Sequence, residues 1–202
     1  MKLYYAPGAC SMASHMVLRE AGFSFDLEKV ELATGKTASG EDYRRINPKG
    51  YVPALRLDDG EILTESAVIL QYLADQKPAA GLAPAPGTLE RYRLMEWLNF
   101  IATEMHKQLG ALYNPKITPE WRENQLALFG RRCDFLEGQM GTKTYLMGDR
   151  YSVADAYLFT VLNWTHFLHV DMDKWPTLRG YMARVAERPA VRDTMRAEGL
   201  IP

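Results

Sequence analysis

The spacing of apolar residues changes character near residue 80. Before that point apolar side chains alternate over short runs. Leu3 and Tyr5 fall on one face of a predicted strand over 2–6, opposite Tyr4, and a second strand is predicted over 25–32. Pro7-Gly8 breaks the chain after the first strand, and residues 9–21 form a predicted helix that Gly22 ends. Residues 35–40 read as a loop and 41–46 as a short helix, stopped before Asn47-Pro48-Lys49-Gly50. Two further strand candidates, 53–57 and 61–64, flank Asp58-Asp59-Gly60, where Asp-Gly supplies the backbone angles of a tight hairpin. A helix follows over 65–75, with Ala67, Leu70 and Leu73 among its apolar positions.

Past residue 80 the strand signals stop. Residues 78–86 are a linker-like run of Ala, Gly and Pro. Leu94, Leu98, Ile101, Met105 and Leu109 then recur at three- and four-residue steps, which marks one long amphipathic helix. Thr118-Pro119-Glu120 starts another, with Thr as cap and Pro in the first turn. Ser152-Val153-Ala154-Asp155 is a capping box, and helices over 175–186 and after Pro189 close the chain. The order βαβ, α, ββα is that of a thioredoxin-like domain. The expected organisation is therefore an α/β thioredoxin-like N-terminal domain over 1–80 and an all-α C-terminal domain over 87–202.

Composition changes this picture only by exclusion. The 24 Lys and Arg against 25 Asp and Glu give a net charge of −1, so no field favours nucleic acid or an anionic membrane. No stretch approaches the roughly 20 apolar residues that span a bilayer. No apolar signal core follows Lys2, because Pro7, Gly8 and Ser11 interrupt it. Cys10 and Cys133 lack metal-ligand spacing, so no metal is expected. Reduced thiols and a cytoplasmic location are the expectation.

One of those thiols sits where chemistry is favoured. Cys10 follows the Pro-Gly turn at a helix start, where unpaired N–H groups and the helix dipole favour a thiolate. The same position also suits a small buried hydrophobe. Cys133, mid-helix, reads as structural or incidental. Val52-Pro53 is either a plain strand start or a cis bond that offers the Val52 backbone to a ligand. Glu65-Ser66 is either a helix cap or the binding place of an amino-acid-like end, with Ser66 on its carboxylate and Glu65 on its amino group. Asn99, Thr103 and His106 share one helix face. That face is either merely solvated or lets His106 and Lys107 supply a proton donor and a positive charge to sulfur chemistry.

Taken together, these segments resemble the glutathione transferase family, in particular its bacterial beta class. The matching stretches are MKLYYAPGACSMASH, NPKGYVPAL, LTESAVILQYLAD, EWLNFIATEMHK and YSVADAYLF, in order along almost the whole chain. The resemblance implies a homodimeric enzyme of detoxification with glutathione as co-substrate. It implies that Cys10 lies beside the glutathione sulfur, that Val52 and Pro53 form a cis-proline loop for the cysteinyl part, and that Glu65 and Ser66 hold the γ-glutamyl group. Asn99, Thr103, Glu104 and His106 line or approach the same ligand, in part from the neighbouring subunit, and Lys107 accompanies His106 near the active cysteine. A lysine common in near relatives at the position of Gly35 stands here one place on, at Lys36, so either the loop shifts to bring Lys36 to the glycyl carboxylate or that contact is lost. The capping box is implied to be a folding element.

Three groups are candidates for governing the sulfur: the Tyr5 hydroxyl, the Ser11 hydroxyl and the Cys10 thiol. A hydroxyl stabilises a thiolate by hydrogen bonding, whereas a cysteine favours disulfide exchange. The expected function is conjugation of glutathione to electrophilic, mostly apolar substrates, with Cys10-dependent thiol-redox activity. The alternatives are a glutathione-dependent thiol oxidoreductase or reductive dehalogenase with conjugation as a side activity, and a non-catalytic binding or dimerisation module of the same fold. Met105, Leu112, Tyr113, Trp164 and Phe167 are the candidate apolar walls of an electrophile pocket, and equally candidate core.

Overall fold

A computed structural model describes residues 1–202. The first elements are β1 (Lys2–Tyr5), α1 (Ser11–Glu20), β2 (Asp26–Glu31), β3 (Lys36–Thr37), β4 (Ala54–Arg56), β5 (Ile62–Thr64) and α2 (Ser66–Gln76). The strands form one sheet in the order β3-β2-β1-β4-β5. β1 runs parallel to β2, with Leu3 opposite Leu27, and antiparallel to β4, with Leu3 opposite Leu55. The hairpin pairs Leu55 with Leu63 across the Asp-Gly turn. Because successive side chains point to opposite faces, Leu3 and Tyr4 are both buried only if both faces are covered, and both are. Tyr4 joins Val30, Tyr43, Ile46, Val52 and Ala54 in one apolar cluster. α1 and α2 pack on each other and against β1 and β5.

Two short elements depart from expectation. The 35–40 segment contains a two-residue edge strand, Lys36–Thr37, paired with Val30 and Glu31. Two residues cannot display an alternation, so hydrophobicity carried no trace of it. The predicted helix over 41–46 is a single 3₁₀ turn, Tyr43–Arg45, capped by the Asp42 carboxylate on the Arg44 N–H. Tyr43 drives that turn inward. It is fully buried, and burial pushes its hydroxyl up to about 12, so it stays a neutral donor to the Tyr51 carbonyl at 2.8 Å.

The remaining helices are α3 (Leu89–Phe100), α4 (His106–Ala111), α5 (Pro119–Met140), α6 (Val153–Leu168), α7 (Pro176–Ala186) and α8 (Pro189–Ala197). Between α3 and α4 the helix widens to a π-helical turn over Ile101–Met105, with Ile101, Met105 and Leu109 still buried. Thr118 caps α5 through its side chain on the Trp121 N–H. The capping box of α6 is fully formed. Asp155 Oδ2 accepts from the Ser152 N–H and hydroxyl, both at 2.8 Å, and Oδ1 accepts from the Leu146 N–H at 2.9 Å and from Tyr181. Burial pushes the Asp155 carboxyl above the usual carboxylate range, against those donors, which pull it down. No helix is long and apolar enough to cross a membrane.

The chain divides into two compact units, one of Met1–Ala83 with Arg188–Pro202 and the other of Pro84–Glu187. The first boundary falls inside the Ala, Gly and Pro run. The second separates α8 from the helices before it, and α8 packs on α1. The sequence placed everything after residue 87 in one helical domain, because an amphipathic helix does not announce which partner its apolar face will meet.

Glu137 on α5 accepts the Thr177 and Leu178 N–H groups at 2.7 and 3.0 Å, and so caps α7 from a distance of 40 residues. Burial pushes its carboxyl up, but the Thr177 and Leu178 donors outweigh this and hold it below the ordinary range. A carboxyl depressed on folding stabilises above its unfolded value and stops doing so as pH falls through the folded one. Glu137→Gln is therefore expected to lower stability by about 1 kcal/mol near neutral pH. The gap from the parent should close as pH falls below the ordinary glutamate value of about 4.3 and through the lower, folded one. Thermal midpoints of both proteins across that range check it, and a gap that stays constant contradicts it.

Candidate functional site

β1 ends where β4 begins, since Tyr4 lies opposite Ala54, and β5 ends there too, since Thr64 also lies opposite Ala54. Three loops therefore meet at one rim of the sheet. They carry Cys10 after β1, Val52-Pro53 before β4, and Glu65 after β5. β3 starts at the same end, as Tyr5 pairs with Lys29 and Lys36 pairs with Glu31 two residues farther along β2. Lys36 thus stands on the rim, with three strands between its own and the one that leads to Glu65, and its side chain is exposed. Topology alone gathers residues that are up to 55 positions apart in sequence.

The Val52-Pro53 peptide bond is cis. The Cys10 thiol is half-exposed, occupies the N-cap position of α1, and donates to the Val52 carbonyl at 3.1 Å. The loop that presents Val52 is braced from behind. The Tyr51 carbonyl accepts from the Tyr43 hydroxyl and from Asn47 Nδ2 at 2.6 Å. Lys49, in the same turn, reaches the Thr64 hydroxyl at 3.1 Å and pairs with the Glu65 carboxylate. Lys49 and Asn47 thus touch the candidate residues and their loop, although the sequence pattern did not single them out. Their signal was present in the NPKG turn, but a turn motif says where the chain bends and not whom its side chains meet.

Glu65 is the N-cap of α2 with φ 71° and ψ 117°, an uncommon backbone for a residue with a Cβ. Its side chain is exposed and caps no helix N–H, while Ser66, next to it, is buried. An acid that serves only as a helix cap has no need of this backbone. The conformation turns the Glu65 carboxylate outward beside Lys49.

Tyr5 and Ser11 are placed differently. Tyr5 ends β1 half-buried, its ring 6.0 Å from that of His15. Burial, and after it the Glu198 charge, pushes its hydroxyl above the usual phenol range, so it remains a neutral donor. Ser11 is fully buried, and its hydroxyl accepts from the Ala6 N–H and donates to the Ala6 carbonyl, both at 3.2 Å. That oxygen holds the loop after β1. Cys133 is buried in α5, where burial pushes its thiol well up and leaves it unreactive.

The remaining candidates lie on the long helix of the second unit. His106 Nδ1 is 2.7 Å from the Tyr157 hydroxyl, and its ring meets the rings of Tyr157 and Trp164 edge to face. Lys107 is exposed beside it. Glu104 is half-buried and paired with Arg132, and the Thr103 hydroxyl bonds back to the Asn99 carbonyl at 3.0 Å. Thr103 and Glu104 belong to the π-helical turn itself, a distortion that often marks functional positions. Trp164 and Leu112 are buried, whereas Tyr113 and Phe167 are about half exposed. No group of three or more His, Cys, Asp or Glu side chains is arranged to hold a metal ion.

This arrangement has known counterparts. Residues 8–76 match the family model for the glutathione S-transferase N-terminal domain, and residues 119–184 match that for the C-terminal domain. The chain is 43% identical to the glutathione S-transferase GstA of Escherichia coli O157:H7, over 99% of this chain and all of that one. It is similar to a sphingomonad glutathione S-transferase solved in complex with glutathione, at 44% identity and a TM-score of 0.96 over the whole of both chains. The bacterial beta-class glutathione S-transferase of Sphingomonas chungbukensis gives 46% identity and the same TM-score, again over both full lengths.

Proposed function

The chain belongs to the glutathione S-transferase family, in its bacterial beta class, and from that premise we propose how the enzyme divides its chemistry among its residues. It is a glutathione transferase, with reduced glutathione as co-substrate. Glutathione lies along the sheet rim. The Val52 backbone before Pro53 pairs with the cysteinyl part, Glu65 meets the γ-glutamyl amino group, and Ser66 with the first N–H groups of α2 holds the adjoining carboxylate. Lys36, on the same rim, takes the glycyl carboxylate. The observation that carries this reading is the Cys10 thiol 3.1 Å from the Val52 carbonyl, since any group that pairs with Val52 there has its sulfur next to Cys10.

Two reactions follow from that juxtaposition. In conjugation, the glutathione thiolate attacks an electrophilic carbon, a C–S bond forms and the leaving group departs with its electron pair. A neutral Tyr5 hydroxyl suits the task of donating to that thiolate. In thiol exchange, the Cys10 thiolate attacks one sulfur of oxidised glutathione. The S–S bond breaks, a Cys10–glutathione disulfide forms, and the released glutathione thiolate takes up a proton. Attack of reduced glutathione on the mixed disulfide breaks its S–S bond, re-forms oxidised glutathione and releases the Cys10 thiol, so net reduction occurs when a different disulfide takes the place of oxidised glutathione in the first step.

On this reading the roles on the long helix are a proton donor at His106, a positive charge at Lys107, and glutathione contacts from Asn99, Thr103 and Glu104. The electrophile is small and mostly apolar, and the protein is a cytoplasmic homodimer of detoxification. The exposed Leu89, Tyr92 and Met95 along α3 support a second copy as the neighbour.

Glu65→Gln keeps the shape of the side chain and removes its charge. Affinity for reduced glutathione, measured by titration calorimetry, is expected to fall about tenfold, which is about 1.4 kcal/mol. Unchanged affinity would place the amino group elsewhere.

A further inference from the structure

The loop that carries Cys10 is anchored by the last helix of the chain. Glu198 sits at the C-terminal end of α8, just before Gly199 with φ 72°. That place is unfavourable for an acid twice over. The end of a helix is its negative pole, and the Glu198 side chain is completely buried. It is held there by two partners. Glu198 Oε2 accepts the buried Gly8 N–H at 2.8 Å, and Oε1 lies 2.9 Å from Nδ1 of His15, which is itself fully buried. Arg19 Nε donates to His15 Nε2 at 3.0 Å, so Nε2 is an acceptor and Nδ1 must donate to Glu198. The result is a directed chain from Arg19 through His15 and Glu198 to the backbone of Gly8.

Gly8 is the left-handed residue of the turn between β1 and Cys10. A buried N–H that loses its acceptor costs about 1–3 kcal/mol, so the Glu198 contact weighs on where this turn settles. The Ser11 hydroxyl fixes the same loop at Ala6. Between these two anchors lie only Pro7 and the Ala9–Cys10 step, so the place of the thiol follows from them. We propose that Glu198, oriented by His15 and Arg19, is a positioning residue for Cys10, acting through the Gly8 N–H to hold the thiol against the rim where Val52 offers its backbone. The inference rests on the Cys10 reading given above and extends the thiol site to residues 8, 15, 19 and 198.

Glu198→Gln tests it, because an amide has one acceptor oxygen and cannot serve both Gly8 and His15. Two rates are measured on the full chain. One is mixed-disulfide formation at Cys10 with oxidised glutathione, which needs the thiol in place. The other is alkylation of Cys10 by iodoacetamide, which needs only access. The disulfide rate is expected to fall about tenfold while alkylation changes by less than about threefold. Both rates within twofold of the parent, or both falling alike, overturn the proposal and leave the chain of contacts a fold anchor only. Should Glu198→Gln not fold, Arg19→Gln, whose side chain is half-exposed, loosens the same chain one step further out. It is expected to lower the disulfide rate selectively by about threefold, and no change overturns the proposal. If the parent itself forms no mixed disulfide, the Cys10 reading fails and this inference fails with it. A parent that reacts, with variants that react equally, sinks the positioning role alone.

Discussion

Replacing Cys10 by alanine is expected to abolish the mixed disulfide with oxidised glutathione and all glutathione-dependent disulfide reduction. Conjugation to an aromatic halide should fall by less than about tenfold, about 1.4 kcal/mol of barrier. The asymmetry follows from what each reaction needs. Exchange requires a sulfur on the protein, and no second thiol is available, because Cys133 is buried and pushed up by that burial. Conjugation uses the sulfur of glutathione, and the groups proposed to hold it are the Val52 backbone, Glu65, Ser66 and the Tyr5 hydroxyl. Intact-protein mass after exposure to oxidised glutathione reads the first reaction. Steady-state rates with an aromatic halide read the second. Equal loss of both would make Cys10 the group that governs the glutathione sulfur and would end the division of labour proposed here.

The second large effect concerns folding. Asp155→Ala is expected to destabilise the protein by about 3 kcal/mol or more, since it removes a helix cap and strands several buried donors at once. The Ser152 N–H, the Leu146 N–H and the Tyr181 hydroxyl all lose an acceptor in an interior that water does not reach. For a chain of this size the corresponding drop in thermal midpoint is roughly 6–12 °C. Asp155→Asn keeps one acceptor oxygen and should lose less. Glutathione affinity measured well below the midpoint should be unchanged in both variants, because the cap lies in the second unit and touches no proposed ligand group. A loss of binding with an unchanged midpoint would contradict the assignment of this box to folding.

Some of this was written locally. The βαβ, α, ββα order, the Asp-Gly hairpin, the Thr118 cap and the Ser152–Asp155 box each depend on residues within a few positions of one another. Local backbone preference and hydrophobic period report such elements directly. Cys10 at a helix start after Pro7-Gly8 was legible for the same reason. Lys36–Thr37 was not, being too short for a period, nor was the π-helical turn, whose apolar spacing at Ile101, Met105 and Leu109 is that of an ordinary helix.

What the sequence by itself determined, then, is the set of elements, the change of architecture near residue 80, and the thiol at the head of a helix. Pairing decided the rest. Lys49 beside Glu65, Tyr43 and Asn47 on the Tyr51 carbonyl, and Ser11 turned to Ala6 depend on how strands and turns close on one another. Glu198 meets Gly8 across 190 positions, and its helix joins the first unit although its sequence neighbours belong to the second. The physical reason is that a buried donor or charge takes whatever partner the packed chain brings within about 3 Å. Distance along the chain has no bearing on that choice.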